Sequence, residues 1–331
     1  MMRFTSILLI CCLIACEADI DVFREQDTTP VVWCLLDQDQ DVQTLRLSRS
    51  YVSYQASIPP GSPDSVLLDL ATDIVLEQVN GNIVEKRAYF EPVEIVKDSG
   101  FFPYNIHWIY ETDMRILPDT EYKLIVYHEA DDRIVYSTCT TVTPFTIENP
   151  KYPAMREIQF QSTHNPQFYW TRSKNAGVFQ MGFILHYEEF SGESLEYKEL
   201  EMSFNTTFVP DNSANFYNQS INSNQFYIKL LEELPVNPGV LRRFNHIDAF
   251  IVSGGEELAY LIKIQTGGQT FSLMEYSNIY NGVGVFSSRL SRKIEGFQLT
   301  DQTIDSLAYG SYTYDLNFLD RNGVREEGGG E

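Results

Sequence analysis

The feature that most constrains this chain is a period of two. Between Val31 and Val142, apolar and polar residues alternate in short runs, and turn-forming residues separate the runs. Side chains on a strand point alternately to opposite faces, so such runs read as half-buried strands. "VVWCLLD" reads as a short buried strand, "DQDQD" (37–41) as a polar turn, and "VQTLRLSRSY" as a second strand carrying Val42, Leu45 and Leu47. A Pro/Gly loop, "SIPPGSPDS", follows. "DIVLEQ" and "NIVEKRAYF" flank Asn80-Gly81, a pair suited to a type I′ hairpin turn. "YNIHWIYE" alternates, and "LPDTEYKLIVYHEADDRIVYSTCTTV" supplies two more strands around Glu129 to Asp132. About seven strands without helical periodicity predict an immunoglobulin-like β-sandwich over residues 30–145.

"TPFTIENPKYP" (143–153) marks a boundary, and a second β-rich domain with one or two short helices is expected over 146–320. "FYWTRS", "VFQMGFILHYEEF", "NQFYIKLLEEL" and "FNHIDAFIVSG" read as its strands. In the second of these, Phe179, Met181, Phe183, Leu185 and Tyr187 share one face, which reads as a core stripe. Ser253-Gly254-Gly255-Glu256 has the form of a capping box, with Leu258, Leu261, Ile262 and Ile264 following at helical spacing and Gly267-Gly268 ending the run. A second short helix is expected near Asp301 to Tyr309, and the polar tail 321–331 is expected to be disordered.

The first residues carry a different pattern. Arg3 precedes an apolar run, Phe4 to Ala15, too short to span a bilayer as a helix. Residues 1–15 therefore read as a signal peptide, and Leu13-Ile14-Ala15-Cys16 resembles the bacterial lipobox, in which the cysteine is lipidated and becomes the first mature residue. Residues 16–29 read as a tether, and the acidic stretch Glu17, Asp19 and Asp21 resembles a signal that sends some Bacteroidota lipoproteins to the cell surface. The net charge of −22 disfavours nucleic acid and anionic surfaces as partners. Of five cysteines, Cys11 and Cys12 lie in the signal and Cys16 takes lipid, which leaves Cys34 and Cys139. These two are placed either to bridge the first and last strands of the sandwich or to pack as free buried thiols, and both alternatives stay open.

Catalytic and metal patterns are not apparent. The histidines at 107, 128, 164, 186 and 246 are scattered, without the i, i+4 pair of a zinc helix. "DQDQDV" begins like an EF-hand loop but has Val42 where Gly belongs and Ser48 where the closing Glu belongs. No cofactor, metal or catalytic residue is expected.

"HIDAFIVSGGEELAYLIKI" followed by Ser277-Asn278-Ile279-Tyr280-Asn281-Gly282-Val283-Gly284-Val285-Phe286 resembles the later part of a Bacteroidota lipoprotein family known as domain of unknown function 4249. The lipobox, "LRLSRSY" and the 117–142 segment extend the resemblance over about residues 13–290. The resemblance implies an outer-membrane lipoprotein encoded near a TonB-dependent receptor, hence a receptor partner. It implies no reaction or ligand. The expected role is a non-enzymatic accessory or capture subunit anchored through Cys16, with Tyr276, Tyr280, Asn281 and Gly282 in the second domain as the partner contact. A surface adhesin or glycan-binding module, and then a hydrolase, are the rival readings.

Overall fold

A computed structural model describes residues 29–49, 73–96, 106–128, 133–151, 156–161, 163–209, 215–266 and 276–325. The signal, Cys16, the tether up to residue 28 and Gly267-Gly268 lie outside them. The chain is mainly β, in several sheets. Its first half folds as β1 (Pro30–Asp37), β2 (Gln43–Arg49), β3 (Asp73–Asn80), β4 (Ile83–Tyr89), β5 (Glu91–Val96), β6 (Ile106–Thr112), β7 (Glu121–His128) and β8 (Arg133–Thr140). The sheet β4-β3-β7-β8 and the β1-β2-β6-β5 portion of a longer sheet share one core. Val32, Cys34 and Leu36 from β1, Leu45 and Leu47 from β2, and Tyr122, Leu124 and Val126 from β7 fill it.

The second half adds β9 (Ile147–Asn149), β10 (Glu157–Ile158), β11 (Gln167–Thr171), β12 (Ala176–Ser191), β13 (Ser194–Phe208), β14 (Phe216–Ser220), helix α1 (Ser223–Glu233), β15 (Leu241–Gly255), α2 (Glu256–Thr266), β16 (Val283–Leu299) and α3 (Asp301–Tyr309). Its own core gathers Phe160, Phe168, Trp170, the Phe179-to-Tyr187 stripe, Phe226, Phe297 and Phe318. The stripe is buried, as its alternation predicts.

The two halves are not separate units on a linker. β16 pairs in parallel with β1, so one sheet runs β13-β12-β15-β16-β1-β2-β6-β5 through both, with β10 alongside β16. Ile279 and Phe286, from the second half of the chain, pack in the first core. At Gly284 the backbone has φ +125° and lies against Val32, its register partner on β1, where a Cβ would come within 1.9 Å of the Val32 carbonyl oxygen.

Several expectations need correction. "NQFYIKLLEEL" forms α1 rather than a strand, because the Asn222 side chain accepts the Asn224 and Gln225 amides and Phe226, Tyr227 and Leu230 fall on one helical face. Ser253 does not cap α2. It remains in β15, where its hydroxyl donates to the Leu290 carbonyl, and the strand passes directly into the helix. The hairpin at 80–83 has φ > 0 at Gly81 alone of its two central residues, which fits a type II′ turn instead of I′. The start of the tail is ordered: the Arg325 guanidinium donates to the Ala308, Phe318 and Tyr314 carbonyls and lies over the Tyr314 ring.

Cys34 and Cys139 do not form a disulfide; both are free, buried thiols in the first core. Burial pushes the Cys34 thiol up to about 12 and raises Cys139 as well. At pH 8 neither thiol forms the nucleophilic thiolate. Labelling a Cys16→Ala chain expressed without residues 1–15 with a thiol reagent at pH 8 should therefore give no fast reaction in buffer and two equivalents in denaturant. Prompt reaction of the native protein would contradict this burial. The linkage has a defined sign: the unfolded Cys34 thiol loses its proton near 9, the folded one only near 12, so this contribution is complete below pH 9 and falls as pH rises through that window.

Candidate functional site

The Ser277–Phe286 segment first serves the fold. The Asn278 side chain accepts the Phe286 amide and donates to the Phe286 carbonyl, closing the loop on itself. The Ser137 hydroxyl donates to the Asn278 carbonyl, and the Asn281 side-chain Nδ2 donates to the Ile134 carbonyl. Tyr280 exchanges both backbone hydrogen bonds with Tyr136 on β8. The segment thus covers part of the free edge of the four-stranded sheet, a position that otherwise invites unwanted strand pairing.

This fastening displays Tyr280. It is 61% exposed, and its ring stacks on that of Tyr136 at 4.7 Å and 6°. Cross-strand register extends from this pair along the same face of the sheet: Tyr136 pairs with Ile125, Ile125 with Val75, and Val75 with the exposed Tyr89, while Ile125 and Val75 between them are buried. Tyr127 and Ile134, paired beside it, are exposed too. Lys123 lies over the Tyr136 ring, and Arg87 pairs with Glu77 one register step along. Tyr and Arg are the residue types enriched at protein contacts, which makes the face carrying Tyr280, Tyr136 and Arg87 a candidate contact surface.

Of the residues expected to form the contact, the structure brings together Tyr280, Asn281 and Gly282, but on the outer sheet of the first half rather than on the second. Tyr276 does not join them. Its ring packs 4.4 Å from that of Tyr260 on α2, and burial, with Glu257 and Tyr260 nearby, pushes its hydroxyl up to about 12. The polar turn after β1 is also accounted for: Asp37 accepts from Arg289, and Asp39 from the Ser291 amide.

A second site was hidden in the sequence. His186 on β12 is the register partner of His246 on β15, and their rings stack at 4.0 Å and 8°. Asp248, two residues on, lies on the same face with its side chain 3% exposed. His186 Nε2 is 2.9 Å from Asp248 Oδ2, His186 Nδ1 is 3.2 Å from Glu199 Oε1, and His246 Nε2 is 3.7 Å from Asp248 Oδ1. Lys293 Nζ, from β16, is 2.8 Å from Asp248 Oδ2, and the Gly296 amide donates to Oδ1 at 2.8 Å. Register shifts at His186/Tyr187 and at Ile247/Ala249 flank the cluster, and such bulges re-aim side chains.

Burial works against ionisation of Asp248, but hydrogen bonds from Lys293, Gly296 and His186 outweigh it and hold the carboxyl below its usual range. Burial and the neighbouring His186 hold His246 below the ordinary imidazole value, against the pull of Asp248. Lys293 is raised, its bonds to Asp248 and Glu295 overcoming the cost of burial. His246, Lys293, Glu295, Gly296, Glu148 and Lys151 line an open cleft of about 780 Å³ beside the cluster. Among the described residues, His186, His246 and Asp248 form a group whose potential ligand atoms lie within 4.8 Å of one another. The scattered histidines hid it because His186 and His246 meet only through the pairing of β12 with β15. The alternating "HID" of residues 246–248 opposite a strand carrying His186 was the available signal. No protein-family model matches the chain, and no curated protein matches it in sequence.

Proposed function

We propose that this protein is a lipid-anchored outer-membrane protein that binds a TonB-dependent receptor as a non-enzymatic accessory or capture subunit, through the tyrosine row on its four-stranded sheet. The observation that carries the reading is the exposed, backbone-fastened Tyr280 stacked on Tyr136. A side chain held in its binding geometry loses little entropy on association, and a large half-polar ring is the commonest kind of energetic anchor. Leu13-Ile14-Ala15-Cys16 supports the membrane anchor, and the resemblance of Ser277–Phe286 to the lipoprotein family supports the receptor as partner.

Two expected outcomes follow. Cys16→Ala should move the protein from the membrane to the soluble fraction, since lipid chains supply about 0.8 kcal/mol per buried CH₂ and the variant has none; wild type without acyl chains by mass spectrometry contradicts the anchor. Tyr280→Ala should leave stability nearly unchanged and weaken receptor binding by more than about 1 kcal/mol, the threshold for an energetic anchor. A pull-down from native membranes with wild type and variant reads this directly. Equal recovery of the receptor with both removes Tyr280 from the interface, and no receptor with wild type removes the partner.

A further inference from the structure

We propose that His186, His246 and Asp248 form a binding site for one divalent transition-metal ion of the zinc class, on the outer face of the long sheet and away from the tyrosine row. Two imidazoles and one carboxylate are a donor set suited to such ions. The three ligand atoms lie within 4.8 Å of one another. Donors on a tetrahedral ion with bonds of about 2.1 Å lie about 3.4 Å apart, so closing the site takes side-chain movements of roughly 1–1.5 Å.

The surroundings are those of a built site. Glu199 Oε1, 3.2 Å from His186 Nδ1, is placed to hold the Nδ1–H tautomer of a ligating His186 once a metal replaces the 2.9 Å contact of Nε2 with Asp248. The Gly296 amide holds Asp248 Oδ1, and a register shift lies beside His186 on one pairing and around Asp248 on the other. The point already attracts a cation, because Lys293 Nζ is 2.8 Å from Asp248 Oδ2. The same ammonium is 3.3 Å from Glu295, a partner to which it can transfer when a metal enters. His246 and Lys293 border the cleft, so three protein ligands leave a coordination position open to exchangeable water or an anionic group.

Lys293 makes the proposal separable from casual surface binding, since metal and ammonium compete for one carboxylate. The test uses the untagged full chain, extracted in mild detergent, stripped with a chelator and titrated with Co²⁺ by absorption spectroscopy and with Zn²⁺ by calorimetry. Wild type should bind one ion per chain with Kd of about 10 μM or tighter. His186→Gln and His246→Gln should each weaken binding at least about tenfold. Lys293→Met, which leaves all three ligands in place, should bind more tightly than wild type. Far-UV circular dichroism checks that each variant is folded. If a histidine variant fails to fold, Lys293→Met decides alone. Absence of one-to-one binding by wild type, binding unchanged in both histidine variants, or a Lys293→Met affinity no higher than wild type overturns the site.

Discussion

Arg242→Ala should cost about 3–5 kcal/mol of folding stability, the usual penalty for removing one partner of a buried ion pair. Arg242 is only 1% exposed. Its Nε donates to Glu189 at 2.8 Å, Nη1 to the Leu316 carbonyl at 2.8 Å and Nη2 to the Pro235 carbonyl at 3.0 Å. Its backbone accepts from Leu319 at 2.7 Å and donates to Asn317 at 2.9 Å. One residue of β15 therefore ties β12, the turn after α1 and the segment after α3 together. Alanine leaves a carboxylate and two carbonyls without their donor, and a cavity where the guanidinium stood. Since whole domains are stable by about 5–15 kcal/mol, the loss is large, and urea denaturation followed by tryptophan fluorescence measures it. A double Arg242→Met, Glu189→Met chain should recover part of it, because the uncompensated carboxylate is gone. A single-variant loss under about 1 kcal/mol contradicts this role.

Gly284→Ala should be at least as severe, about 4 kcal/mol or more, the range reached when strain at a special backbone conformation adds to a broken ladder. Gly284 has φ +125°, and its missing Cβ would meet the Val32 carbonyl oxygen at 1.9 Å and two further backbone atoms of Val32 within 2.9 Å. No rotamer relieves a clash with backbone. The parallel pairing of β1 with β16 has to open, and that pairing joins the two halves of the sheet. Gly323→Ala is the control: φ there is +74°, but nothing lies within 4 Å, so the cost should stay near 1–2 kcal/mol for the left-handed conformation alone. Equal costs at the two glycines contradict the close approach.

The difference between what the sequence reveals and what it conceals follows the distance over which each signal acts. Strand alternation is local, so β1, β3, β7 and the Phe179-to-Tyr187 stripe are legible, and α3 coincides with the expected helix at Asp301–Tyr309. "NQFYIKLLEEL" is ambiguous in its apolar pattern, and the Asn222 cap decides for helix. Ser253 satisfies the local rule for a capping box, yet β15 pairs with β12 and β16 on both sides up to Gly254, and the ladder prevails over the cap. The Asn-Gly-x-Gly stretch shows a need for close backbone approach, but Val32 is its neighbour only through a parallel pairing of residues some 250 apart. Tyr276 and Tyr280 look alike in sequence and part in space, one against α2 and one against β8.

The most direct measurement places a photo-crosslinking amino acid at position 280 in living cells, with position 197 as the comparison. Tyr197 is 73% exposed on β13, the edge strand at the opposite end of the long sheet from β5. The account predicts an adduct with a TonB-dependent receptor from position 280, none from position 197, and loss of the first adduct when Tyr136→Ala removes the stacking partner. Adducts of equal yield from both positions, or none from position 280 while the protein remains membrane-bound, would contradict it.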